Sequence, residues 1–175
     1  MKFLPAAVCA LLLCGGLVPT PAMAADPEFP LTAAPVGPTS LKAIGWAKRK
    51  LVIFAPEGPT LGITGMKWNT MRKVLATPEL AAGLVDRETI VILAVKDELE
   101  LAPGIDYARV PADSISLARV ACGIDRGPGA FVLIGKDGGI KETWRAPVEP
   151  EVIFAAIDAM AMRRSEVAER EKGRK

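Results

Sequence analysis

The stretch Phe131 to Trp144 constrains this chain more than any other. An apolar run, Phe131-Val-Leu-Ile134, stops at Gly135-Lys136, and a second run, Ile140 to Trp144, alternates apolar and polar residues. Asp137-Gly138-Gly139 lies between them and supplies residues that accept positive φ, which tight turns require. The pattern predicts a β-hairpin. Pro147 and Pro150 follow, then a helical run from Pro150 to about Arg170 with apolar residues at 153, 156, 157 and 160, an i, i+3, i+4, i+7 stripe. A hairpin closed by a helix is half of a fold, and the upstream sequence must provide the other half.

Two uninterrupted apolar runs do so. Leu51-Val-Ile-Phe-Ala55 and Thr89-Ile-Val-Ile-Leu-Ala-Val95 have strand length and no alternation, the signature of strands buried on both faces. Between them the pattern predicts a loop over Pro56–Gly65 and a helix from Met66 to Ala76, with Met66, Met71, Val74 and Leu75 inward. A further helical turn starts at Pro78 and runs to Gly83. Thr39 or Ser40 caps a short helix from Leu41 to about Lys48, and Trp46 reads as a packing anchor. Lys96 to Ala112 reads as an irregular connection. A helix capped by Asp113 or Ser114 follows, with Ile115, Leu117, Ala118 and Ala121 inward and Gly123 at its C′ position. The sequence from Arg163 onward alternates charges and reads as a frayed, solvated end.

The order α-β-α-β-α-β-β-α is that of the thioredoxin fold: an α/β protein with a mixed sheet between two helical layers, a β-α-β-α-β-β-α unit preceded by a helix. Crossover helices must cover both faces of such a sheet.

The 175 residues are 50% apolar and 24% charged, enough for one domain with its own core. The expected organisation is a signal peptide over 1–24, a proline-rich extended lead-in over 25–38, the domain over 39–166 and a charged tail over 167–175. The signal reading rests on Lys2, an apolar segment from about Phe3 to Val18 interrupted by Gly15 and Gly16, and the small-x-small site Ala22-Met23-Ala24. Leu13 is too large to precede a lipid-bearing Cys14. The implied compartment is the periplasm or the extracellular space, with no stable membrane insertion after cleavage. Without residues 1–24 the chain carries 21 basic and 20 acidic residues, a balance that does not suggest a nucleic-acid partner. Cys122 is then the sole cysteine, so no intramolecular disulfide forms. The sequence has no histidine, which excludes imidazole-based triads and the usual zinc and copper sites.

Trp46-Ala-Lys-Arg-Lys-Leu-Val-Ile-Phe-Ala-Pro56, Leu133-Ile-Gly-Lys-Asp-Gly-Gly-Ile-Lys141 and Ile157-Asp-Ala-Met-Ala-Met-Arg-Arg164 together resemble domain-of-unknown-function family 4174. That family is a peroxiredoxin-like branch of the thioredoxin superfamily, found in secreted bacterial proteins and some animal extracellular proteins. The resemblance spans roughly Leu41 to Glu166. It implies a reactive cysteine just after the first core strand, at a helix N-terminus, where the dipole favours thiolate. Residues 56–65 contain no cysteine. Pro56 and Thr60, or Pro59 and Thr60, match part of the peroxiredoxin Pro-x-x-x-Thr-x-x-Cys loop, without its nucleophile.

The expected function is therefore a non-enzymatic binding or adaptor module. Its surface would comprise Pro56, Glu57, Gly58, Pro59, Thr60, Arg49 and Arg145, with Lys136 to Gly139 at the opposite edge, and its partner would be a protein or peptide. The alternative is a one-cysteine thiol redox protein or peroxidase using Cys122, with Arg119 and Arg126 to favour thiolate. No cofactor or metal is expected. Gly135-Lys136-Asp137-Gly138 lacks phosphate-loop spacing, Asp97, Glu98 and Glu100 lack EF-hand spacing, and Asp158 reads as a solvated carboxylate. Arg163 and Arg164 read as surface charges, or with Arg49 and Arg145 as an anion-holding group around the 56–65 loop.

Overall fold

A computed structural model describes residues 27–33, 38–58, 62–125, 127 and 129–174. The readings made on residues 1–24, Pro59, Thr60 and Arg126, and on the side chain of Trp46, lie outside the described residues.

The two continuous apolar runs form the centre of the sheet. Strand β3 (Arg49–Phe54) and strand β4 (Thr89–Ala94) pair in parallel, Arg49 opposite Thr89 and Phe54 opposite Ala94. The predicted hairpin is β6 (Ala130–Ile134) and β7 (Ile140–Trp144), and β6 runs antiparallel to β3 with Ala130 opposite Phe54 and Lys50 opposite Ile134. Side chains alternate across a strand, so one run feeds two cores. Leu51, Ile53, Val91, Leu93, Phe131 and Leu133 pack on one face with helices α2 (Gly62–Leu75), α3 (Pro78–Asp86) and α5 (Pro150–Asp158). Val52, Phe54, Ile92, Ala94, Val132 and Ile134 pack on the other with α1 (Leu41–Ile44) and α4 (Ile115–Ala121). Each large apolar side chain so buried contributes about 1.5–3 kcal/mol, and the result is the expected three-layer thioredoxin-like α/β fold.

Three local readings are corrected. The lead-in is not merely extended: β1 (Pro30–Ala33) pairs antiparallel with β2 (Pro38–Ser40) and with β5 (Tyr107–Arg109), and Phe29 and Leu31 are buried in the second core. β5 itself lies inside the stretch read as an irregular connection and pairs in parallel with β4, which completes a seven-stranded sheet in the order β2-β1-β5-β4-β3-β6-β7. Prolines and short length hid both strands. The third correction is the C-terminus. The single helix expected from Pro150 breaks at Ala159-Met160, and α6 (Ala161–Lys172) is docked by ion pairs, with Arg163 buried.

Smaller differences follow from the same packing. α2 begins at Gly62, and its inner residues are Trp68, Met71 and Leu75, while Met66 is exposed. Leu117 of α4 is also exposed. The Ser40 hydroxyl accepts from the Ala43 amide at 3.3 Å, and Gly123 (φ +64°) closes α4 as expected. There the Gly123 amide donates to the Val120 carbonyl and the Ile124 amide to that of Arg119, a Schellman pair.

Candidate functional site

The chain leaves the sheet at the end of β3, and the register places the end of β4, the start of β6 and the end of β7 beside it. Gly129 permits this convergence: a Cβ there would lie 3.0 Å from the Phe54 carbonyl oxygen and 3.1 Å from Pro56 Cδ. The Glu57 amide donates to the Gly127 carbonyl at 2.9 Å, and Gly58 follows at φ +92°.

Arg119 organises this end of the molecule from beneath. It lies in the last turn of α4, where a cation is favoured by the helix dipole, and is only 2% exposed. Its Nη2 donates to the Ala55 carbonyl and its Nη1 to the Asp125 carbonyl at 3.1 Å. Its guanidinium carbon sits 5.2 Å from the centre of the Phe54 ring. Nε lies 3.1 Å from Glu57 Oε1, within ion-pair range, but the angle makes no hydrogen bond and Nε is buried without one. Burial pushes the Arg119 pKa down, and the Glu57 charge opposes that shift. Asp125 extends the cluster outward, because its carboxylate accepts from Arg145 Nη1 at 3.0 Å while Arg145 Nη2 donates to the Gly123 carbonyl at 3.4 Å.

Pro56, Glu57, Gly58, Arg119 and Arg145 therefore belong to one end of the sheet. Arg49 does not. It starts β3, about 16 Å away by strand rise, and is 1% exposed. Lys136 to Gly139 turn the hairpin at that same far end, because Ile134 pairs with Lys50. Arg163 is there too, and the expected arginine cluster around the 56–65 loop divides between opposite ends of the protein.

The far end is an ion network that docks α6. Arg49 Nη1 donates to the Arg87 carbonyl at 2.9 Å and its Nη2 to Glu166 Oε1 at 3.0 Å. Lys136 pairs with Glu88 and with Glu166, the latter at 2.8 Å. Arg163 pairs with Asp86 and Arg170 with Asp86 and Glu88. Asp158 is no isolated solvated carboxylate: it accepts from Arg87 Nε at 3.0 Å and Nη2 at 2.6 Å. Burial alone would raise the Asp158 pKa, and the hydrogen bonds and charges of Arg87 and Arg163 together outweigh it and hold the group low.

Cys122 sits at the C-cap of α4, 3% exposed among aliphatic side chains of the second core. Burial pushes its thiol up to about 12, so it is held as a thiol at neutral pH. The peroxiredoxin spacing from Pro56 and Thr60 would place a nucleophile at Ile63, in the first turn of α2. No group of three or more acidic or cysteine side chains suited to a metal ion occurs among the described residues, and no described helix is long and apolar enough to cross a membrane.

A cavity of about 460 Å³ lies between the middle and C-terminal half of α2 and the connection from β7 into α5, lined by Met66, Lys67, Met71, Val74, Val148 and Glu149. Neither this groove nor Asp125 was singled out in the sequence. The groove is made by residues far apart in the chain, and Asp125 resembles any turn aspartate.

A family described as "Domain of unknown function (DUF4174)" matches residues 40–166. No curated protein matches the chain. Among solved structures the chain is similar to Plasmodium yoelii thioredoxin peroxidase I, at 17% identity and a TM-score of 0.51, covering 79% of this chain and 88% of that one. Peroxidoxin BcpB from Mycobacterium tuberculosis gives 14% identity and 0.52, with 76% and 93% covered. The thioredoxin domain of a thiol-disulfide oxidoreductase from Bacteroides vulgatus gives 13% and 0.51, with 79% and 97% covered. These likenesses show the thioredoxin-like fold.

Proposed function

The chain belongs to the DUF4174 family, and from that premise we propose that it is an exported thioredoxin-like module that binds a protein or peptide and performs no thiol chemistry. The observation that carries this reading is the composition of the end of the sheet after β3. Thiol enzymes of this fold present their nucleophile there. In this chain residues 56–65 hold no cysteine, and the end is built instead from Glu57, Arg119, Asp125 and Arg145. That set can pair with charges on a partner. Export is supported by residues 1–24, with their lysine, apolar core and small-x-small site.

Thiol chemistry at Cys122 is opposed by its geometry. The thiolate is the reacting form, and this thiol is buried, pushed up to about 12, and at the negative end of its helix.

The test is capture of partners by the exported form, incubated with the envelope extract of its own cell, against a variant with Glu57→Lys and Arg145→Glu. A partner enriched by the first and lost with the second is expected; no enrichment refutes the binding role. In parallel, Cys122 should resist a thiol reagent at pH 7 until urea unfolds the chain, and peroxide should be consumed no faster than in buffer. Rapid labelling, or peroxide consumption abolished by Cys122→Ser, would overturn the non-enzymatic reading.

A further inference from the structure

We propose that Arg119 is a carboxylate receptor which Glu57 fills from within the chain, and that an acidic side chain of a bound peptide takes Glu57's place. This rests on the binding role above and names the chemistry of the partner.

Arg119 is a buried cation whose two terminal nitrogens are each held by a fixed carbonyl. The carbonyls of Ala55 and Asp125 accept from its two terminal nitrogens and hold the guanidinium plane against the Phe54 ring. Both carbonyls belong to anchored backbone: Ala55 directly follows β3, and Asp125 follows the Schellman closure of α4. Nε faces Glu57, and that contact is incomplete: the atoms are 3.1 Å apart with no hydrogen bond made. A desolvated guanidinium without a counter-charge is costly, so the site requires a carboxylate but is indifferent to which chain supplies it.

Glu57 is the replaceable member. Its side chain is 35% exposed while that of Arg119 is 3% exposed. Its backbone is pinned by the Gly127 carbonyl, so rotation of the side chain alone uncovers Nε without moving the fold. Departure of Glu57 into water is opposed by the charge left behind, and is offset when another carboxylate arrives. The site thereby exchanges one carboxylate for another and stays closed otherwise. The exposed Arg145, held by Asp125 on the rim, offers a second cation to a peptide with a further acidic residue.

The test is chemical rescue. Glu57→Ala should lower Tm, and sodium formate or acetate should restore it by ~3–6 °C at ten times their Kd, beyond any effect of sodium chloride at equal ionic strength. Inorganic phosphate should restore less than formate. The double variant Glu57→Ala/Arg119→Met should ignore formate. If Glu57→Ala does not fold, Glu57→Gln gives the same comparison. In the native protein, a blocked peptide with one glutamate at millimolar concentration should shift the amide resonances of Glu57, Gly58 and Gly127, and its glutamine counterpart should not. Equal response to formate and chloride in both variants overturns the receptor, and rescue by formate without response to the peptide overturns the acidic-peptide assignment. Rescue with no partner captured from extract leaves the receptor standing and removes the adaptor role; capture without rescue does the reverse.

Discussion

Replacing Glu166 by glutamine isolates what docks α6. Among the described side chains of this helix only Arg163 is buried, so apolar burial cannot hold it. Glu166 Oε1 sits 3.0 Å from Arg49 Nη2 and 2.8 Å from Lys136 Nζ. Arg49 is 1% exposed, Lys136 is 12% exposed and Glu166 is 20% exposed. Removing one member of a buried pair costs ~3–5 kcal/mol. The exposure of Glu166 reduces that figure, and each cation keeps one partner, Arg49 the Arg87 carbonyl and Lys136 the Glu88 carboxylate. The expected loss is about 2–3 kcal/mol, or roughly 5–10 °C in Tm for a domain of this size. Urea unfolding followed by far-ultraviolet circular dichroism should show a lower midpoint with an unchanged slope, and hydrogen exchange should accelerate first in α6. Arg49→Met combined with Glu166→Leu should recover most of the loss, because it removes both charges rather than orphaning one. A loss under ~0.5 kcal/mol, the range of an ordinary surface substitution, refutes the argument that charge docks this helix.

The same network sets the acid and alkaline limits of stability. Hydrogen bonding from Lys136 lowers the Glu88 pKa, and at Glu166 burial would raise it but the hydrogen bonds and charges of Lys136 and Arg49 together prevail and lower it. Folded values below unfolded ones give stability that is present above about pH 4.3, the usual glutamate value, and lost as pH falls through the folded values. At Lys136 burial would lower the pKa, but the bonds to Glu166 and Glu88 raise it, so its contribution is complete below about pH 10.4 and fades as pH rises through the folded value. Thermal melts from pH 2 to 11 should show both flanks, and Glu166→Gln should flatten the acid one. Leu31→Ala, at a residue 1% exposed in β1, should cost ~2–5 kcal/mol in urea unfolding; a negligible cost would return the segment to a dispensable lead-in. Gly123→Ala places a side chain at φ +64° and should cost ~1–2 kcal/mol by the same measurement, with Tm falling accordingly.

The elements legible in the sequence are those whose stability is local or whose burial is complete. Leu51 to Ala55 and Thr89 to Val95 could only be interior strands, because unbroken apolar runs of that length need cover on both faces. Asp137-Gly138-Gly139 could only be a turn, and Gly123 announced the end of α4 through the left-handed conformation that glycine permits. The absence of histidine, and of any cysteine in residues 56–65, is likewise a property of the sequence alone. β1 and β5 were not legible. They are four and three residues long, and one begins at Pro30, so each exists only because its neighbour completes its hydrogen bonds.

Tertiary structure alone decided where the charges went. An arginine written in a sequence looks the same whether it is solvated or buried, since its counter-charge is supplied from far along the chain. Arg49 meets Glu166, Arg163 meets Asp86, and Arg119 meets Glu57. The six-residue length of β3 sends Arg49 to one end of the sheet and Glu57 to the other, which divides the expected single surface in two. Local propensity and hydrophobic pattern determined the scaffold. Long-range electrostatic pairing, which has no sequence period, determined where its buried charges sit.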